Sequence, residues 1–382
     1  MKRLVHSLVA VAVLALAPVA LSAQFHGITF PPDGGNQHAT VSQWIGLVEV
    51  TIDYHSPHVH APDGTDRTGK IWGGLVPYGL ANLGFGTCGD QCPWRGGANE
   101  NTTFTVDHDV LVQGQPLPAG AYGLHFIPGA DEWTIVFSKD STSWGSFFYD
   151  AKDDALRVTA KPEKGEYREV LTYEFPERRL GKATAALKWE NLALPWTIEV
   201  PNANDLYVEN IRRQLKTSPG FSWEAWNDAA QFCLTNKVNL AEGLAWAEAA
   251  AHRPGLGQEN WTTLVTLSRL EAANDKADDA KKTWTKALAS PSASPFDLHA
   301  AGRQLLADKK VDLALQVFET NAKRNPGAWP VEVGLGRGYA AAGRTKDAIQ
   351  HLKIAVGQAP DEGNKKNLQG LIEKLEKGEK ID

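Results

Sequence analysis

Residues 333–360 read VGLGRGYAAAGRTKDAIQHLKIAVGQAP, and their spacing decides the fold of half the chain. Leu335, Gly336, Tyr339, Ala348, Leu352, Ala355 and Pro360 stand where a 34-residue helix-hairpin repeat places its packing side chains. Pro326 and Pro360 are 34 positions apart, the full period. Ala and Gly fall where two helices must cross closely, and large residues fill the space beside them. The same phase recurs upstream. Leu298, Gly302, Leu305, Ala314, Phe318 and Pro326 form one unit; Trp261, Leu264, Leu267, Ala280, Trp284 and Ala287 form another. Trp226, Ala230, Trp246, Ala249 and Pro254 form the most degenerate one. Residues 221–362 are therefore expected to hold about four hairpins. Residues 363–382 are expected to form a polar capping helix with Leu368, Ile372 and Leu375 on one side. Such repeats present binding surfaces to protein partners.

Before Val200 the pattern is of another kind. Val48, Val50, Ile52 and Tyr54 alternate with Glu49, Thr51 and Asp53, the mark of a half-buried strand. Further runs lie at Thr103–Val112, Ala121–Ile127, Trp133–Phe137, Trp144–Tyr149, Leu156–Ala160, Glu169–Phe175, Thr184–Trp189 and Trp196–Val200. Short strands at close spacing, with turn residues between them, predict an antiparallel β-sandwich or barrel over residues 41–200. Residues 24–40 read as an extended lead-in. Residues 201–220 read as a connecting helix and linker, with Asn204 as its N-cap and Ser218-Pro219-Gly220 as its end.

The 382-residue chain opens with an export signal. Lys2 and Arg3 precede an apolar stretch from Leu4 to Leu21, and Ala20-Leu21-Ser22-Ala23 offers a cleavage point after Ala23. No later run approaches the ~20 apolar residues that cross a bilayer, so a mature chain without a membrane span is expected in the periplasm or outside the cell. Charge is uneven. Residues 24–200 carry 22 acidic and 13 basic side chains, against 23 and 24 in residues 201–382. An acidic β region is repelled by phosphate backbones, which argues against nucleic acid as a partner.

Several clusters have the residue types that sites need. Cys88 and Cys92 lie in the Gly-rich segment GFGTCGDQCPWRGG; in an oxidising compartment a disulfide is the economical reading. His55, His58 and His60 form a tight cluster followed by Asp63 and Asp66. Their imidazoles suit Zn or Cu, and the alternative is a solvated loop shaped by Pro57, Pro62 and Gly64. Otherwise no cofactor is expected. Trp94-Arg95-Gly96-Gly97-Ala98-Asn99-Glu100, just before a strand, suits a ligand site on a sandwich rim: Arg95, Asn99 and Glu100 would meet a sugar hydroxyl, a small molecule or a cation. His125, in a strand between Leu124 and Phe126, faces away from both and is a further candidate, as general base or ligand. Seven tryptophans in this region fit either core packing or a platform for sugar rings. No nucleophile elbow, metalloprotease helix or phosphate loop is present.

The phrases SQWIGLVEVTIDYHSP, GKIWGGLVPYG, WRGGANENTTFT, LPAGAYGLHFIPG, DEWTIVFSKDSTSWGSFFYD, DALRVTAKP and LALPWTIEV follow one another between Ser42 and Val200. In that order they resemble an exported bacterial family, domain of unknown function 2911, and the hairpins after them resemble tetratricopeptide repeats. The resemblance implies a secreted β-rich domain, sometimes followed by such repeats, and no established activity. This chain departs from the family's pattern between Tyr78-Gly79 and Trp94-Arg95. A very short link is replaced there by the insertion Leu80–Pro93, which holds both close cysteines. The expectation is an exported, non-enzymatic adaptor; the alternative is a secreted hydrolytic or metal-assisted enzyme, or a carbohydrate-binding module, with its site in the β region.

Overall fold

The computed structural model describes residues 35–381; the expected signal segment and most of the expected lead-in lie outside them. The chain divides after Pro201 into two compact units.

The first unit is built from two antiparallel sheets. Strands β1 (Gln37–Ile45), β2 (Val48–Ser56), β3 (Thr103–Val106), β6 (Gly120–Ile127), β7 (Trp133–Ser138) and β8 (Asp154–Ala160) make a six-stranded sheet in the order β1-β2-β3-β6-β7-β8. Strands β4 (Val110–Val112), β5 (Gln115–Leu117), β9 (Glu163–Arg179) and β10 (Lys182–Glu199) make the other, in the order β5-β4-β10-β9. The unit is sandwich-like, and neither sheet closes into a barrel. In β2, Val48, Val50, Ile52 and Tyr54 are buried while Glu49, Thr51, Asp53 and His55 are not, as the period-two pattern requires. Inner-face aromatics join the sheets: Tyr54 meets Tyr173 at 4.8 Å and Phe126 meets Trp196 at 6.1 Å between ring centroids. Such edge-on geometry suits the ring quadrupoles.

Several strand boundaries differ from the sequence reading, each for a local reason. Strand β1 starts at Gln37, inside the expected lead-in, and pairs with β2 around a turn where Gly46 takes φ 65°. The run Thr103–Val112 is two strands: Asp107-His108-Asp109 carries the chain from one sheet to the other. Thr184–Trp189 and Trp196–Val200 merge into the long β10, bent by register shifts next to Glu190, whose φ is 53°. Trp144–Tyr149 is no strand. Gly145 takes φ 59° there and turns the segment across the sheet.

The second unit begins with α1 (Ala203–Gln214), whose N-cap position is Asn202 rather than Asn204 and makes no side-chain capping bond, and a short turn at Ser218–Phe221. Four hairpins follow: α2 (Trp223–Asn236) with α3 (Leu240–His252), α4 (Trp261–Ala273) with α5 (Ala277–Ala289), α6 (Pro295–Ala307) with α7 (Val311–Arg324), and α8 (Trp329–Ala341) with α9 (Thr345–Gln358). Helix α10 (Glu362–Glu376) buries Leu368, Ile372 and Leu375 against the last hairpin. The repeat residues do what their spacing requires. Phe318 is fully buried, and a Cβ on Gly302 would overlap its ring, so only glycine lets α6 and α7 approach this closely. Ala348, Leu352 and Ala355 of the last hairpin are likewise fully buried.

Candidate functional site

The insertion 80–93 folds back as a small lobe. Ala81 and Cys92 exchange backbone hydrogen bonds at 3.0 and 3.1 Å, and the Cys88–Cys92 disulfide lies within, with Cα atoms 5.2 Å apart. The lobe docks where the Phe147 carbonyl accepts from the Thr87 and Cys88 amides at 2.8 and 3.2 Å. Gly86 is essential to this docking, because a Cβ there would overlap the Phe147 backbone.

Ala81, Leu83, Cys92 and Pro93 of this lobe form one wall of a cleft of about 340 Å³. Leu75, Val76 and Pro77 form another, and Trp94 and Trp189 contribute indole surface. Asn36, Arg67, Arg95 and Asn99 supply the polar groups. Leu75 and Leu83 are exposed at its edge. Apolar lining with a few convergent polar groups is the usual character of a small-molecule site.

The Arg95 guanidinium donates to the Asn99 carbonyl at 2.5 Å and lies 4.9 Å over the Phe147 ring. Burial pulls its pKa below the ordinary arginine value. Among the described residues neither Arg95 nor Arg67 forms a salt bridge; Arg67 reaches the His58 carbonyl at 3.4 Å. Asn99 occupies the left-handed region at φ 56°, where asparagine is well tolerated, and its side-chain amide exchanges hydrogen bonds with Asn36.

Glu100 and His125 stand apart from this cleft. Glu100 is half exposed and pairs with His55, Oε2 to Nε2 at 3.3 Å. His125 is buried, with Nδ1 3.0 Å from the Ser146 hydroxyl and its ring edge-on to Tyr149. It does point away from the inner core, but the connection between β7 and β8 covers that outer face. Burial, opposed by the Asp140 charge and reinforced by Arg95, pushes its pKa down to about 4.

The histidine cluster is divided as well. His55 points with the outer face of β2, stacks on His38 at 5.0 Å and meets Glu100. His58 and His60 turn to Glu169 of β9, at 3.9 and 2.9 Å, and His60 also lies 3.6 Å from Asp66. Among the described residues no group of three or more His, Cys, Asp or Glu side chains is placed to hold a metal ion. Glu169 also accepts from the Tyr167 hydroxyl at 2.6 Å and the His60 amide at 2.8 Å. Burial works against its ionisation, but these donors outweigh it and bring the carboxyl down to about 2. Sequence reasoning missed Glu169 and Arg67. Glu169 meets His60 from 109 positions away, which nothing local marks, while Arg67 meets the His58 carbonyl within its own irregular loop, nine positions away.

The tryptophans are mostly core. Trp72, Trp94, Trp133 and Trp189 pack mutually at 5.1–6.3 Å, leaving Trp44 and Trp144 as the exposed indoles.

Residues 36–198 match the family described as "Protein of unknown function (DUF2911)", so the β unit carries that domain, as its phrases suggested. No curated protein matches the chain. The helical part is similar to several solved structures. One is YrrB, described as a TPR protein with an unusual peptide-binding site: 18% identity, 44% of this chain and 85% of that one, TM-score 0.29. Another is a tetratricopeptide repeat protein from Parabacteroides merdae: 13% identity, 45% and 68%, TM-score 0.30. A third is pilF of Pseudomonas aeruginosa: 16% identity, 42% and 72%, TM-score 0.29.

Proposed function

We propose that this chain is an exported, non-enzymatic binding protein whose β unit takes a small ligand in the disulfide-edged cleft and whose repeats hold a protein partner. The observation that carries this reading is the dispersal of the groups nominated for chemistry. Arg95 and Asn99 reach the cleft, while Glu100 is engaged by His55 and His125 is sealed against Ser146. A general base must reach the proton it abstracts, and a cleft with two arginines and apolar walls favours holding a ligand over turning it over. The arginines favour a ligand with an acidic group on an apolar body. The basic, apolar start of the chain supports export.

The test is calorimetric titration of the full chain with anilinonaphthalene sulfonate, an aromatic anion. Binding in the cleft is expected, its contribution lost in Ala98→Trp, which fills the cleft, and kept in Glu100→Ala and in Ala301→Trp of the helical unit. A hydrolytic turnover that disappears in Glu100→Ala would overturn the non-enzymatic reading.

A further inference from the structure

The helical unit is not packed uniformly. Successive hairpins join where α3 meets α4, where α7 meets α8, and where α2 and α6 meet α4 and α8. At the middle joint the corresponding packing, of α5 on α6 and of α4 on α6, is nearly absent. The two middle hairpins are joined mainly through one shared core cluster of Ala287, Leu288, Ala293, Leu298 and Val317. Arg324 donates to the Leu288, Ser290 and Ala293 carbonyls at 2.7, 2.7 and 3.3 Å. Beside that cluster the hairpins part into a wedge of about 410 Å³.

The wedge has a definite chemistry. Val265, Trp284 and Leu305, each partly buried against that cluster, and Leu313, 42% exposed, give it apolar walls. Small residues, among them Ala272 and Ala301, keep it open where a larger side chain would bridge the gap. Its rim carries Arg269, Lys281 and Lys310, none in a salt bridge among the described residues, against the single carboxylate of Asp308, which accepts from Gln304 at 3.0 Å. Three unneutralised cations around an apolar slot complement a segment that alternates large apolar side chains with carboxylates.

We propose that this wedge between the second and third hairpins is a docking site for an acidic, leucine-rich segment of a partner protein. The proposal rests on the reading of the repeats as a partner-binding unit and adds where the partner docks and what chemistry it presents. An apolar side chain enters between Trp284 and Leu313, and flanking carboxylates meet Lys281, Lys310 and Arg269.

The experiment uses the full chain and a fluorescein-labelled peptide of about twelve residues in which Leu-Leu and Glu-Glu pairs alternate, read by fluorescence anisotropy. A counterpart with Lys for Glu and another with Ser for Leu serve as comparisons. The acidic peptide is expected to bind roughly tenfold or more tighter than either. Ala301→Trp, which fills the wedge, is expected to abolish binding. Leu313→Glu and Lys281→Glu, both at exposed positions, are each expected to weaken it several-fold at unchanged helicity. Equal affinity for all three peptides, or no binding by any, overturns the proposal. Binding lost in Thr262→Trp, on the surface shared by α2, α4 and α6, but kept in Ala301→Trp overturns the wedge while leaving the repeats a partner-binding unit.

Discussion

In the β unit, Trp72 packs edge-on against Trp133 at 5.1 Å and Trp189 at 5.7 Å, three indoles from distant parts of the chain. In the helical unit, Phe318 sits among Gly302, Gly334 and Gly338, which come from the helices immediately before and after its own. The first core is a non-local gathering of large rings. The second repeats a local rule, one large side chain in the gap that small ones leave. The two differ in how a defect should spread and in how much of each a sequence reveals.

The largest expected effect breaks the local rule where it is tightest. Phe318→Ala should cost about 4 kcal/mol, since it empties a fully buried space whose nearest backbone, at three glycines, carries no side chain to fill it. Denaturant unfolding followed by helix content measures it. A cost below about 1 kcal/mol would mean that the repeats relax around the hole, and that the close crossings at Gly302 and Gly334 are not what fixes them.

That contrast explains what was legible. The four hairpins and their capping helix could be read because each large–small pair recurs at one spacing. Most strands could be read from alternation alone. The departures arose where tertiary context overrides period two. His125 lies on an outer face that the β7–β8 connection covers, so exposure could not be inferred from its place between Leu124 and Phe126. Trp144–Tyr149 has strand-like composition but is turned by Gly145. Of the site, the phrase holding Arg95 and Asn99 and the insertion beside it were visible in sequence. Glu169 was not, because its partner His60 is reached only through the pairing of distant segments, and Arg67 was not, because its contact with the His58 carbonyl lies in an irregular loop that no period reveals.

A pH series sharpens the comparison next. His125 is held near pKa 4 by burial, against about 6.5 in an unfolded chain, so the unfolded state takes the proton first. Its stabilising effect is fully present above about pH 6.5 and is lost as pH falls toward 4, about 3 kcal/mol in all. His299 of α6, near Phe318, is also pushed down to about 4 by burial and weakens the helical unit in the same direction. Urea midpoints of the wild type and of His125→Gln between pH 7.5 and 4 separate the two. The substitution should flatten the part of the slope that belongs to the β unit and leave the His299 part. An unchanged slope in His125→Gln would place the acid sensitivity in the repeats alone.

The smallest effect is expected at the surface of the β unit, where His58 and His60 reach Glu169. Hydrogen bonding to Glu169, with the Glu169 and Asp66 charges, raises the His60 pKa despite some desolvation, while the Glu169 carboxyl is brought down to about 2. The two directions agree, as they must for one shared interaction. For His60 the raised pKa means a contribution present below about 6.5 and lost as pH rises through the folded value; for Glu169 it is present above about 4.3 and lost as pH falls toward 2. The pair therefore acts in full only between those two limits. Both groups are largely solvent-exposed, so water and salt screen the attraction and global stability should scarcely move. The sensitive readout is the His60 imidazole itself. In Glu169→Gln its pKa, followed by NMR, should drop back toward 6.5. His125 would stay neutral through the same range, because it is buried elsewhere in the unit and touches neither partner. If the His60 titration is the same in wild type and Glu169→Gln, the bridge between this loop and β9 does not form in solution, and His55, His58 and His60 return to being a solvated loop.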